Sequence, residues 1–218
     1  MPPNRRHFTL IEMLVVIGIA GLLFILVGPA FNRMTRGNDV ENHAAGLKLG
    51  MERALSLAAS SRRYVAVLLP RGISSTTNPV YKYQRGGYRL AYVTQGSTGA
   101  YVFDGWVPDS EWRNQGRSAY LTEIVAGAAG TPTKATANST AKMTDSDFPA
   151  AIEGHSVLFD VGGLSGIPCK GIIFSSFGQA VIATDDTDLK FYVTGTDFYD
   201  RVALRLTVLS GKVEFVDP

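Results

Sequence analysis

The chain has 218 residues, with 21 Lys and Arg against 19 Asp and Glu and a formal net charge of +2. A balance this even excludes the whole-chain basic signature by which nucleic-acid-binding domains collect phosphates. The single cysteine, Cys169, excludes an intramolecular disulfide and a Cys-based metal cage, and it reads as a small packed hydrophobe.

The chain opens with a short basic leader, MPPNRRH, followed by FTLIEMLVVIGIAGLLFILVGPAF, an apolar run whose only ionisable residue is Glu12. At a helical rise of ~1.5 Å, Phe8 to Phe31 spans roughly 36 Å, enough for a hydrocarbon core about 30 Å thick. An ionised carboxylate in such a span costs on the order of 2.5–3.5 kcal/mol unless it is paired. Cleavage of the His7-Phe8 bond would place a new α-amino group one helical turn from Glu12, where the amine of a neighbouring subunit could pair with the carboxylate. Arg5 and Arg6 before the run are matched by Arg33 and Arg36 after it, so charge alone signals orientation weakly. A secretory signal would have a shorter apolar core and a small-residue cleavage site. Arg5-Arg6 faintly suggests a twin-arginine signal, and a plain signal anchor would explain the apolarity without explaining Glu12.

The stretch Phe8-Thr9-Leu10-Ile11-Glu12-Met13-Leu14-Val15-Val16 resembles the class III signal of type IV pilins and type II secretion pseudopilins. The resemblance implies cleavage before Phe8 by a prepilin peptidase, N-methylation of Phe8 by the same enzyme, and a role for Glu12 in filament assembly. Pro29 stands where many members carry a helix-kinking proline, whose missing N–H and ring clash bend a helix. His7 departs from the pattern, which usually has Gly before the cut; cleavage is expected there nonetheless.

Farther on, Val40, Ala44, Leu47, Met51, Ala54 or Leu55, and Ala58 recur at spacings of three and four, while Lys48, Glu52 and Arg53 fall elsewhere. This periodicity predicts an amphipathic helix to about Ser60. Thr35-Arg36-Gly37-Asn38-Asp39 is a weak point, since Gly in a helix costs about 1 kcal/mol relative to Ala. From Tyr64 the period changes to two. The predicted strands are Tyr64–Leu69, Val80–Gln84, Tyr88–Val93, Tyr101–Trp106, Tyr120–Val125, Ser156–Val161, Gly171–Ser175, Ala180–Thr184, Leu189–Val193, Val202–Leu209 and Lys212–Val216. Tyr83–Tyr88 and Leu209–Lys212 read as hairpin turns because their glycines supply positive φ.

Helix first and antiparallel strands after predicts an α+β fold: a long N-terminal helix, transmembrane half plus amphipathic half, packed on an antiparallel β-sheet head. The expected organisation is a leader at 1–7, a transmembrane or filament-core helix at 8–31, an amphipathic helix at 32–62, and a β-rich head at 63–218. Residues 127–147, built almost entirely of Gly, Ala, Thr, Ser and Lys, read as a flexible loop; Asn138-Ser139-Thr140 within them reads as a chance glycosylation triplet. The closing pattern of Ser60-Ser61-Arg62-Arg63, Val65-Ala66-Val67, Ile173-Phe174-Ser175-Ser176-Phe177-Gly178 and Ser210-Gly211-Lys212-Val213 is similar to the H-type minor pseudopilins.

Catalysis finds no foothold. His7, His43 and His155 are the three histidines, and neither H-E-x-x-H nor G-x-S-x-G occurs. Asp185-Asp186-Thr187-Asp188 and Thr144-Asp145-Ser146-Asp147 read as solvated turns rather than calcium loops, lacking the Gly and late Glu of an EF-hand. No cofactor or metal is expected. The resemblance implies a minor pseudopilin or pilin-like subunit, single-pass in the bacterial inner membrane with its N-terminus cytoplasmic and its head periplasmic. Such a subunit would then enter a pseudopilus or type IV pilus-like filament for protein secretion. Its expected partners are the prepilin peptidase, other pilins or pseudopilins through helix–helix contacts, an inner-membrane assembly platform, and membrane lipid. Two alternatives stand behind it. One is a DNA-uptake pilin, for which Arg62, Arg63, Arg71, Arg85 and Arg89 would have to cluster; the other is a membrane-anchored binding domain. Nucleic acid is the less favoured partner, since Gly211 is followed by Lys212, Val213 and Glu214 and not by the arginines of DNA-binding relatives.

Overall fold

The computed structural model describes residues 9–71, 77–84, 86–97, 99–113, 119–126, 156–161, 164–181, 188–195 and 201–216. Within these, side chains are described except at 25–37, 122–123, 125–126 and 156–166.

Helical backbone, α1, runs Leu10–Ser61, but its two described stretches of side chains behave differently. Over 10–24 every large apolar side chain is exposed, from Leu10 at 83% to Phe24 at 78%. Over 38–61 the predicted stripe is buried: Val40, Ala44, Leu47, Met51, Ala54 and Ala58 lie in the core, and the charged Lys48 and Glu52 pair on the outside at 3.6 Å. The helix stops at Arg62, whose left-handed φ of 54° reverses the chain into the first strand.

Among the described residues ten strands follow, namely β1 Tyr64–Pro70, β2 Arg89–Gln95, β3 Tyr101–Trp106, β4 Ala119–Ala126, β5 Ser156–Val161, β6 Leu164–Phe174, β7 Ala180–Val181, β8 Leu189–Gly195, β9 Arg201–Thr207 and β10 Lys212–Val216. They form two antiparallel sheets. The first has the order β3-β2-β1-β6-β5, with β7 on β6, and the second β10-β9-β8-β4. A β-bulge sits where Tyr92 faces Gly105 and Val93 faces Phe103; Gly105, at φ +128°, takes a conformation that a side chain would resist.

Strand β1 is buried on both faces, and its period of two divides the interior. Val65, Val67 and Leu69 join the α1 stripe, Ile172 and Phe174 of β6, Phe191 of β8 and Leu204 of β9 in one core. Ala66 and Leu68 point the other way, with Ala91, Val93, Tyr101, Cys169 and Ile173, into a second core. The edge strands β3 and β5 approach each other, so the first sheet curls around this second core. Tyr64, Tyr81, Tyr83, Phe103, Trp106 and Trp112 pack against it. Cys169 is fully buried there, and desolvation raises its thiol pKa well above the ordinary value.

The expected α+β arrangement is corrected. Among the described residues β-sheet predominates, in two sheets rather than one head, and of the described helical side chains those of 38–61 enter the core between them, α1 meeting β1, β4, β8, β9 and β10. No helix among the described residues is long and apolar enough to cross a membrane. The same finding corrects the single-pass inner-membrane placement with a cytoplasmic N-terminus and a periplasmic head. The predicted strand Val80–Gln84 is instead a 3₁₀ turn, Tyr81–Tyr83. Asn78 starts this turn through its side-chain oxygen, which accepts the Val80 N–H at 2.9 Å, a local bond that competes with strand pairing. Residues 127–147, with Asn138, lie outside the described residues.

Candidate functional site

The first described residues form a built terminus. Thr9 is the N-cap of α1, with extended backbone at φ −78° and ψ 153°. Its Oγ1 accepts the Glu12 N–H at 3.3 Å, while the Glu12 carboxylate accepts the Thr9 N–H and the Thr9 hydroxyl, each at 2.9 Å. This is a reciprocal capping box, satisfying two of the donors that a helix start leaves orphaned. The carboxylate also faces the positive end of the helix dipole. Its sequence signal is Thr9-x-x-Glu12 before an apolar run.

Beyond the cap, Ile11, Met13, Leu14, Ile17, Leu22 and Leu23 are all more than half exposed. Contiguous apolar surface of this kind marks an interaction site on a folded chain. Gly18 and Gly21 meet no atom within 4 Å of where a Cβ would stand, so a second backbone has room to approach there. Of the other residues assigned a role by sequence, His7 and Phe8 lie outside the described residues, and Pro29 falls within the helical backbone of α1.

Two of the arginines proposed to cluster, Arg63 and Arg89, are each held over an aromatic ring. Arg63 pairs with Asp104 and lies over the Tyr92 ring at 4.1 Å, while Arg89 lies over Trp106 at 3.9 Å. Arg62 is at the helix C-cap, and Arg85 lies outside the described residues. Asp188, the one described member of the acidic turn 185–188, stands 4.0 Å from Arg205 Nε. Among the described residues no group of three or more His, Cys, Asp or Glu could hold a metal ion. His155 lies outside the described residues.

His43 is the polar residue that sequence reasoning passed over. It is 2% exposed, and neither ring nitrogen has a hydrogen-bond partner. Burial pulls its pKa from 6.5 down to about 4, with the nearby Gly86 backbone offsetting only part of the fall. Gly86 is at φ +102°, and a Cβ there would stand 2.9 Å from His43 Nε2 and 2.7 Å from Leu121 Cβ. The imidazole thus fills the space between α1 and β4 as an uncharged group.

No protein-family model, curated protein or solved structure matches this chain.

Proposed function

We propose that the chain is a minor subunit of a pilin- or pseudopilin-type filament, joining its neighbours through the helical stretch that begins just after Phe8. The observation that carries this reading is the capped stretch 10–24, whose large apolar side chains are all exposed, in a segment whose sequence, Phe8 to Val16, resembles the class III signal. A side chain such as Leu14 or Phe24 gains about 1.5–3 kcal/mol when fully buried. Several of them together offset the ~4–15 kcal/mol that association costs in lost freedom. The head, with its two closed cores, would ride on the outside of the filament. In this proposal a prepilin peptidase cuts before Phe8, and the Glu12 carboxylate, which has lone pairs to spare beyond Thr9, accepts a charged amine from the next subunit.

The test is the intact mass and N-terminal sequence of the protein from cells carrying a prepilin peptidase. A chain that begins at Phe8 and is heavier by one methyl group supports the proposal; a chain that still begins at Met1 counts against it.

A further inference from the structure

One cavity of about 70 Å³ lies away from the apolar stretch, where α1, the start of β2 and the segment after β3 meet; Gly50, Arg53, Tyr88, Ser110, Glu111 and Arg113 are among its walls. Its polar floor is already committed. The Tyr88 hydroxyl donates to Gly46 O at 2.5 Å, and the Ser110 hydroxyl is directed at Val107 O, 2.7 Å, and Leu90 O, 3.0 Å. Arg113 is pinned beside Tyr88 by reciprocal backbone bonds of 3.0 and 2.9 Å, and Arg53 reaches across to Pro108 O at 3.5 Å.

The charges left over are unequal. Both Arg53 and Arg113 act electrostatically on the Tyr88 hydroxyl, whereas Glu111 acts on Arg89, a third cation held against Trp106. Two arginines therefore stand at a small cavity whose one lining carboxylate, Glu111, also acts on a third. Planar guanidinium forks match planar oxyanions with paired hydrogen bonds.

We propose that this cavity is a carboxylate subsite, in which Arg53 and Arg113 hold a singly charged carboxylate group. Glu111 at its wall disfavours a phosphate dianion by like-charge repulsion and sets the preference for the single charge. The group comes either from a free small carboxylate or from an acidic side chain of a second copy of this chain. This inference does not depend on the filament reading, since it uses no residue of the stretch 10–24.

The test uses the full chain in non-ionic detergent micelles, with sodium acetate as the probe exchanged against chloride at constant ionic strength. The arginine side-chain N–H resonances are followed by NMR. Acetate should shift the Arg53 and Arg113 signals to saturation. Arg53→Gln and Arg113→Gln should each weaken binding about tenfold, the loss of one charge-assisted pair. Arg53→Lys should recover part of it, and Glu111→Gln should tighten acetate and admit inorganic phosphate. Sedimentation separates the sources: self-association that acetate and Arg53→Gln both weaken identifies the second copy, and association indifferent to saturating acetate identifies the free anion. Shifts that grow without saturating, or that persist unchanged in both glutamine variants, overturn the proposal.

Discussion

His43 makes the stability of this fold depend on pH in a window where few other groups titrate. In the unfolded chain the imidazole takes up a proton near its ordinary value of 6.5, but in the folded protein only near 4. Between those values the unfolded state binds more protons, so stability is fully present above about pH 6.5 and is lost as the pH falls toward 4. At ~1.36 kcal/mol per pH unit, the complete loss is about 3 kcal/mol, of which about 2 kcal/mol is reached between pH 7.5 and pH 5. That window lies above the ordinary carboxylate range, which separates His43 from the acid groups. Urea unfolding of the full chain at pH 7.5, 6.5, 5.8 and 5.0 should show the midpoint falling by roughly 0.7–1 M. His43→Leu should flatten this dependence. A midpoint that stays level from pH 7.5 to pH 5 in the native sequence, or a His43→Leu variant with the same slope, would refute the reasoning.

Other substitutions test the packing. A Cβ at Gly50 would stand 2.8 Å from Tyr88 Cζ, so Gly50→Ala should destabilise by about 1–3 kcal/mol, measured by thermal melting, with the double variant Gly50→Ala/Tyr88→Leu recovering part of it. Tyr88→Phe alone should cost about 1 kcal/mol for the lost bond to Gly46 O. Phe174, fully buried in the first core, should cost about 3–5 kcal/mol when cut to Ala, read from the urea midpoint. Arg62→Gly should stabilise slightly, by about 0.5 kcal/mol net and seen as a raised melting temperature, because relief of the left-handed φ slightly exceeds the entropy that glycine adds to the unfolded chain.

The parts of the fold legible in the sequence are those decided by local periodicity. The stripe from Val40 to Ala58 is buried residue for residue, and the strands Tyr101–Trp106 and Lys212–Val216 begin and end where the alternation of apolar residues places them. What failed rests on long-range choices. Nothing in the run Val65 to Leu69 says which of two cores each side chain will enter, so one head was expected where the first sheet curls around its own interior. Val80–Gln84 has strand-like residues, but the Asn78 side chain bonds the backbone first. The extent of the apolar run suggested a membrane span, but among the described residues no helix is long and apolar enough to make one. The carboxylate cavity was invisible for a similar reason: Arg53, Tyr88 and Arg113 are far apart in the chain and are brought together by the bridge between Tyr88 and Arg113 and by the bond from Tyr88 to Gly46.

The capping box makes two possible roles of Glu12 separable, because the cap needs an acceptor oxygen and the proposed pairing needs a charge. Glu12→Gln keeps an oxygen that can accept the Thr9 N–H, as the box tolerates either residue, but it has no charge to offer a neighbour's amine. Glu12→Leu loses both, and Thr9→Ala loses the reciprocal bond from the Glu12 N–H while leaving the charge. Amide exchange at Leu10 to Met13 should therefore be near native in Glu12→Gln. It should quicken in Glu12→Leu and Thr9→Ala by an amount equivalent to about 1 kcal/mol, the usual worth of an N-cap. Filament entry should follow a different order if the charge is what neighbours read: Thr9→Ala enters, and both Glu12 variants fail. Should Glu12→Gln enter as the native chain does while Thr9→Ala and Glu12→Leu fail together, the cap and not the charge governs assembly, and the proposed pairing with a neighbour's amine falls.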